Sequence, residues 1–108
     1  MEGNEITVQE LKKIMNQGMQ FQLLDVREQE EYKNGYIKAA IHIPLEELPS
    51  YYEQLSRNLP VIIYCHHGIE STLAFEYLNK THGFTNLSIL KGGLHAWAIE
   101  IDQAMMWY

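Results

Sequence analysis

At 108 residues the chain has the length of one ordinary domain built around a single hydrophobic core. Hydrophobic residues make up 46% and charged residues 20%, which excludes a disordered chain, and the longest apolar runs, 60–64 and 94–99, are far too short to span a bilayer. A net charge of −6 argues against nucleic acid or an anionic membrane as a partner, since both demand a basic surface.

The acidic start, Met1-Glu2-Gly3-Asn4-Glu5, lacks the basic and apolar regions of a secretory leader, so a cytoplasmic location is expected. Thr7-Val8-Gln9-Glu10 has the pattern of a capping box, with a hydroxyl at the N-cap and Glu three residues on. Val8, Leu11, Ile14 and Met15 then recur at helical spacing, and Gly18 supplies a stop. Residues 21–26 read as a short apolar strand, and 28–33 as an acidic helix ending at the Asn34-Gly35 turn. Residues 39–43 form a second strand closed by Pro44, and short helical pieces near 45–48 and 50–55 lead to Leu59-Pro60. Val61-Ile62-Ile63-Tyr64 is a continuous, mostly β-branched run, which suits a strand covered on both faces.

After residues 65–70 a helix is expected from Ser71, with Leu73, Ala74, Tyr77 and Leu78 as its apolar face and His82-Gly83 as its end. Residues 87–90 make another strand, Gly92-Gly93 a turn, and 94–101 a last helix. No repeat or linker divides the chain, so 1–108 reads as one domain, with 102–108 a tail whose closing Met and aromatic residues are free to dock on the domain or a partner. Strands alternating with helices imply right-handed β–α–β units and an α/β layered sheet.

A single cysteine excludes an internal disulfide and any multi-Cys metal site. Cys65 stands directly after the most buried-looking strand and before a helix, the place in an open α/β sheet where ligands collect. A short loop there, with Gly68 free to take positive φ, can aim several backbone N–H groups at one atom, and the helix N-terminus adds partial positive charge. Both favour a thiolate or a persulfide anion, and they make Cys65 the candidate nucleophile rather than a small buried hydrophobe.

Four ordered blocks now match one pattern. Leu23-Leu24-Asp25-Val26-Arg27-Glu28 with Glu30-Glu31-Tyr32 and Gly35 resembles the N-terminal signature of the rhodanese homology family, LLDVRExxEYxxGHI. Ile41-His42-Ile43-Pro44-Leu45 resembles the AIxIPL segment, Cys65-His66-His67-Gly68-Ile69-Glu70-Ser71 the six-residue active loop CxxGxR followed by Ser, and Lys91-Gly92-Gly93-Leu94-His95-Ala96-Trp97 the GGxxxW block. The resemblance runs from about Thr7 to Trp97. It implies a rhodanese-like fold, a five-stranded parallel sheet flanked by helices on both faces. It also implies a sulfurtransferase in which Cys65 takes sulfane sulfur from thiosulfate, polysulfide or a protein persulfide and passes it to a thiol or cyanide-like acceptor. That chemistry is covalent and two-step and requires neither metal nor organic cofactor.

The chain departs from the family pattern where charge matters most. The sixth loop position, usually Arg, is Glu70. An Arg fork can hold the oxygens of thiosulfate; a carboxylate about 5 Å away repels such an anion by roughly 3 kcal/mol at an effective dielectric near 20. The opposing reading turns Glu70 to solvent or uses it at the start of the following helix. Tyr36 stands where the family often has His, and Lys38-Ala39 where it has Pro-Gly.

His66 and His67 invite a metal reading, but adjacent side chains diverge in an extended loop and no further ligand follows at metal spacing, so no metal is expected. Protonated, either would favour the thiolate. His42, His82 and His95 read as structural or exposed, and Asp25 with Arg27 as a structural ion pair or helix cap beside the site.

Two other functions compete. A Cys-dependent phosphatase or arsenate reductase needs Arg after five intervening residues to clamp an oxyanion; that position is Ser71, and no Arg or Lys lies between Arg57 and Lys80. A catalytically weak or silent module for protein interaction or redox sensing would account for Glu70, but it has no need of a cysteine at the focus of the loop.

Overall fold

The computed structural model describes residues 4–105. The chain opens with β1 (Glu5–Ile6) and α1 (Val8–Asn16). The Thr7 hydroxyl accepts from the Glu10 N–H at 3.0 Å and the Glu10 carboxylate accepts from the Thr7 N–H at 2.8 Å, the expected capping box. Gly18, with φ +69, follows the helix and turns the chain back. Then come β2 (Gln22–Asp25), α2 (Gln29–Asn34), β3 (Ile41–His42) and the short α3 (Leu48–Tyr51), flanked by single 3-10 turns. The chain continues through β4 (Val61–Tyr64), α4 (Ile69–Glu76), β5 (Leu87–Leu90) and α5 (Gly93–Glu100).

The five strands form one parallel sheet in the order β1-β5-β4-β2-β3. β4 lies at its centre and all four of its residues are buried, as its β-branched run requires. Alternation along β4 feeds two cores. Val61 and Ile63 join Leu48, Ala74, Phe75 and Leu78 on the α3/α4 face, while Ile62 and Tyr64 join Val8, Leu11, Leu94 and Trp97 on the α1/α5 face. Helices therefore cover both faces, the fold class expected. From β2 the chain moves outward to β3, and from β4 it moves outward to β5. The crevice between those diverging connections, at the carboxyl ends of β2 and β4, is where a site belongs.

Two expectations need correction. α4 begins at Ile69, with Gly68 as its N-cap, not at Ser71. Its buried residues Ser71, Ala74 and Phe75 continue into Leu78 of the π-helical turn that follows (Tyr77–Thr81), spaced i, i+3, i+4, i+7, whereas Leu73 is 50% exposed. Second, β1 was not read from residues 5–6 at all; it pairs with β5 through Glu5–Ile89 and Ile6–Leu90. The closing residues of the tail, 106–108, lie outside the described part. No described helix is long and apolar enough to cross a membrane.

Candidate active site

Cys65 extends the alternation of β4 by one residue, so its side chain falls on the α4 face and is only 2% exposed. Gly68, at φ +131, lets the chain reverse in three residues and start α4 directly over the sulfur. An L-residue rarely holds that backbone angle, and nothing else crowds the position, so conformation alone explains this glycine. The sulfur then accepts the Gly68 N–H at 3.0 Å and the Ser71 N–H at 3.4 Å. In effect Sγ is the capping acceptor for the first turn of α4, and the helix dipole favours negative charge there. The Ser71 hydroxyl accepts from the thiol at 3.4 Å and donates to the Gly68 carbonyl at 3.0 Å, tying the two ends of the loop together.

The loop is also held from behind, which the sequence reading missed. The N–H groups of Leu94 and His95, in the first turn of α5, donate to the carbonyls of Cys65 at 2.8 Å and His66 at 3.1 Å. Those bonds turn the loop carbonyls away and leave its N–H groups for the sulfur. They require close approach of α5: a Cβ on Gly93 would stand 2.6 Å from the His66 carbonyl oxygen, and one on Gly92 2.6 Å from Cβ of Ala96. The double glycine before the last helix was the available signal, since glycine serves close backbone approach as well as turns.

Asp25 and Arg27 form the expected ion pair. Both are buried, with Nη2 of Arg27 2.7 Å from Oδ2 of Asp25. The guanidinium also donates to the carbonyls of Glu31 at 3.3 Å and Gly35 at 2.6 Å, and so fastens the segment after β2 to the end of that strand. The charge is consumed internally. Beside the pair, the Tyr64 hydroxyl accepts the Ile37 N–H at 3.0 Å, and burial followed by the Asp25 charge pushes its pKa well up.

Among the loop side chains, Ile69 is 78% exposed, His67 is exposed and His66 half-buried. Nδ1 of His66 lies 2.8 Å from Nδ1 of His67, and the ring of His95 tilts toward both. Burial, then the neighbouring His67, push the His66 pKa below its ordinary value. Both causes disfavour the charged imidazolium, the form in which His66 would assist a thiolate. His42 and His82 hold structural positions, His42 against the Arg27 carbonyl at 2.7 Å and His82 stacked on Tyr52.

Glu70 neither turns fully to solvent nor caps a neighbour. It lines a cleft of about 230 Å³ at the carboxyl ends of β2, β3 and β4, together with Val26, Glu28, Pro44, Leu45 and Glu46. Burial, followed by the charges of Glu31, Glu28 and Asp25, pushes its carboxyl pKa above the ordinary value. Glu28 and Glu46 were not singled out from sequence, because only the topology brings the ends of β2 and β3 to this wall. Among the described residues no cluster of three or more His, Cys, Asp or Glu is placed to hold a metal ion.

Comparison with known proteins agrees with this architecture. Residues 7–100 match the Rhodanese-like domain family. The chain is 33% identical over 100 residues to the putative sulfurtransferase YtwF of Bacillus subtilis, covering 93% of this chain and 95% of that one. It is 35% identical over 75 residues to the thiosulfate sulfurtransferase GlpE of Coxiella burnetii, with 69% of each chain covered. Among solved structures, a rhodanese-related protein from Thermoplasma volcanium superposes with TM-score 0.79 at 31% identity, covering 91% of this chain and 93% of the other. The family model spans most of the chain, and the chain belongs to the rhodanese-like domain family, several of whose members are named sulfurtransferases.

Proposed function

We propose that this chain is a sulfurtransferase that carries sulfane sulfur as a persulfide on Cys65. The observation that supports this most is the pair of N–H groups, from Gly68 and Ser71, converging on Sγ at 3.0 and 3.4 Å. In the first step the Cys65 thiolate attacks the sulfane sulfur of the donor. The bond from that sulfur to the rest of the donor breaks, and the donor's remainder leaves with the electron pair. The loop then holds the persulfide much as an oxyanion hole holds an oxyanion, with fixed N–H dipoles in a site shielded from water. In the second step an acceptor thiolate, or a cyanide-like nucleophile, attacks the outer sulfur, and Cys65 leaves as thiolate. Ping-pong kinetics follow, and the reaction calls on neither metal nor cofactor.

A protein persulfide, which needs no cation at position 70 to hold a small anion, suits the site better than free thiosulfate. Glu70 stands where an anionic donor would need a cation, and Arg27, the nearest buried cation, is committed to Asp25. A lone thiol with no disulfide partner fits a reducing, cytoplasmic setting.

The test is intact mass after incubating reduced protein with thiosulfate or, separately, polysulfide, for wild type, Cys65→Ser, Glu70→Gln and Glu70→Arg. Polysulfide should give a reducible one-sulfur adduct on wild type that is absent in Cys65→Ser. Thiosulfate should load wild type poorly and Glu70→Arg faster. If no donor loads any protein that retains Cys65, the chain is a silent interaction module instead.

A further inference from the structure

We propose that the rim around Cys65 is a docking surface for a sulfur-accepting protein whose reactive cysteine is flanked by basic residues. The proposal rests on the sulfur-transfer reading above and names its partner.

The sulfur of a cysteine that is 2% exposed cannot be reached by a cysteine on another protein without contact between the two surfaces around it. That surroundings consist of two parts, apolar and acidic. Ile69 and Leu73 lie i, i+4 on α4, one turn or about 5.4 Å apart, on the side away from the buried stripe. At 78% and 50% exposed, they leave an aliphatic ridge in water beside the loop, and Ile69 is the most exposed of the large hydrophobic residues described. Neither side chain supports the core, so the fold itself gives no reason for an apolar residue at either position.

Next to Ile69 in the chain, Glu70 lines a cleft together with Glu28 and Glu46, with Val26, Pro44 and Leu45 as its apolar lining. At about 230 Å³ it takes one long side chain, not a folded segment. An aliphatic stem with a cationic head is the complement of apolar walls with carboxylates, which describes Lys or Arg. Burial and the neighbouring carboxylates already push the Glu70 pKa up, so an incoming cation would relieve repulsion there. A small cationic thiol could fill the cleft but would leave Ile69 and Leu73 uncovered. A protein covers both.

In the transfer, the partner's thiolate attacks the outer sulfur of the Cys65 persulfide. The S–S bond breaks, Cys65 leaves as thiolate, and the partner carries the persulfide. No oxidant or reductant enters.

The experiment loads the full chain with polysulfide and follows transfer by mass to three acceptors. One is a peptide with its cysteine flanked by Lys, Arg and Leu; another has Glu in place of the basic residues; the third is cysteamine. The basic peptide should react about tenfold faster than the acidic one at low ionic strength, with the gap largely closing near 0.5 M salt. Leu73→Asn should slow transfer to the basic peptide about threefold, each rate being divided by that variant's own polysulfide loading rate. Equal rates for the two peptides, or no effect of Leu73→Asn, would overturn the proposal. So would cysteamine matching the basic peptide, since a small cationic acceptor would then be sufficient. Binding of both peptides to Cys65→Ser protein, read by fluorescence polarisation, gives an answer independent of sulfur loading. Preference for the basic peptide there supports the surface, and equal binding rejects it. Failure to load Cys65 with a preserved binding preference would reject the sulfur-transfer reading alone.

Discussion

Replacing Gly93 by Ala tests whether the N-terminus of α5 holds the Cys65 loop in its sulfur-cradling shape. Gly93 has φ +58, and an added Cβ would press on the carbonyl oxygens of both Cys65 and His66, 2.6 Å from the latter. The left-handed backbone costs an L-residue about 1 kcal/mol or more relative to Gly. Overpacking against backbone that cannot rotate away adds about 1–3 kcal/mol. If the loop retreats instead, it loses the Leu94 and His95 bonds to those carbonyls, worth about 1 kcal/mol each. Either route leads to a loss of about 2–4 kcal/mol in total. Gly83→Ala is the reference: its φ is +70, but nothing lies within 4 Å of the added Cβ, so it carries the backbone cost of about 1 kcal/mol alone. Urea midpoints at constant m would give both losses, and polysulfide loading with iodoacetamide alkylation would report the loop. We expect a gap of about 1–3 kcal/mol between the two variants, and loading slowed more than about tenfold in folded Gly93→Ala only. Equal midpoints, or a destabilised Gly93→Ala that loads at the wild-type rate, would refute the argument that α5 shapes the loop.

Three more outcomes follow from particular contacts. Asp25→Ala leaves Arg27 buried and without its carboxylate; it should cost about 3–5 kcal/mol and lower Tm by more than about 10 °C in calorimetry, and an unchanged Tm would mean that the pair organises nothing. Ala39 holds φ +80 where the family pattern has Gly, so Ala39→Gly should stabilise the fold by about 0.5–1 kcal/mol after the added unfolded-state entropy, and a loss in urea midpoint would show that the angle carries no strain. The pH dependence of Glu70 has a definite sign. Its carboxyl pKa is raised, so the charge disappears at a higher pH than for a free Glu, and repulsion of an anionic donor fades as pH falls through that raised value. Thiosulfate loading of wild type, divided by that of Glu70→Gln at each pH, should therefore climb toward unity on acidification; taking the ratio cancels the common titration of the thiol. A flat ratio would show that Glu70 does not meet the donor.

Elements whose signals are local were legible in the sequence. The capping box at Thr7 and Glu10, the unbroken β-branched run of β4 and the alternation of strands with helices led to the right class of fold. The two-residue strand β1 was not read, because two residues carry no period and its partner, β5, lies more than eighty residues away in the chain. The start of α4 was misplaced for a related reason. An N-cap is recognised in sequence by a side-chain acceptor; the actual cap is Gly68, which has none, and the acceptor for that first turn is the Cys65 sulfur. Leu73 is exposed for a separate reason: the inward stripe runs through Ser71, Ala74, Phe75 and Leu78, which leaves Leu73 on the opposite side.

The site divides along the same line. Cys65, Gly68 and Ser71 fall within seven residues, and their relation could be read from spacing alone. Glu70 could not be interpreted that way, because its surroundings come from the ends of β2 and β3. Taken alone, a loop carboxylate could turn to solvent, and exchanging it for Arg would recreate a thiosulfate clamp. In the folded chain an Arg at position 70 would instead enter a cleft walled by Glu28 and Glu46, either of which can take up its guanidinium. A guanidinium paired in this way attracts an anion less than a free one does, so Glu70→Arg should recover only part of the thiosulfate loading. Glu70→Arg combined with Glu28→Gln should load about threefold or more faster than Glu70→Arg alone, since Glu28 is one of the charges that act on position 70 and removing it changes the potential by roughly 1 kcal/mol after solvent screening. Equal loading by the two variants would mean that the carboxylates of the cleft act separately, and that the charge reversal at position 70 stands alone.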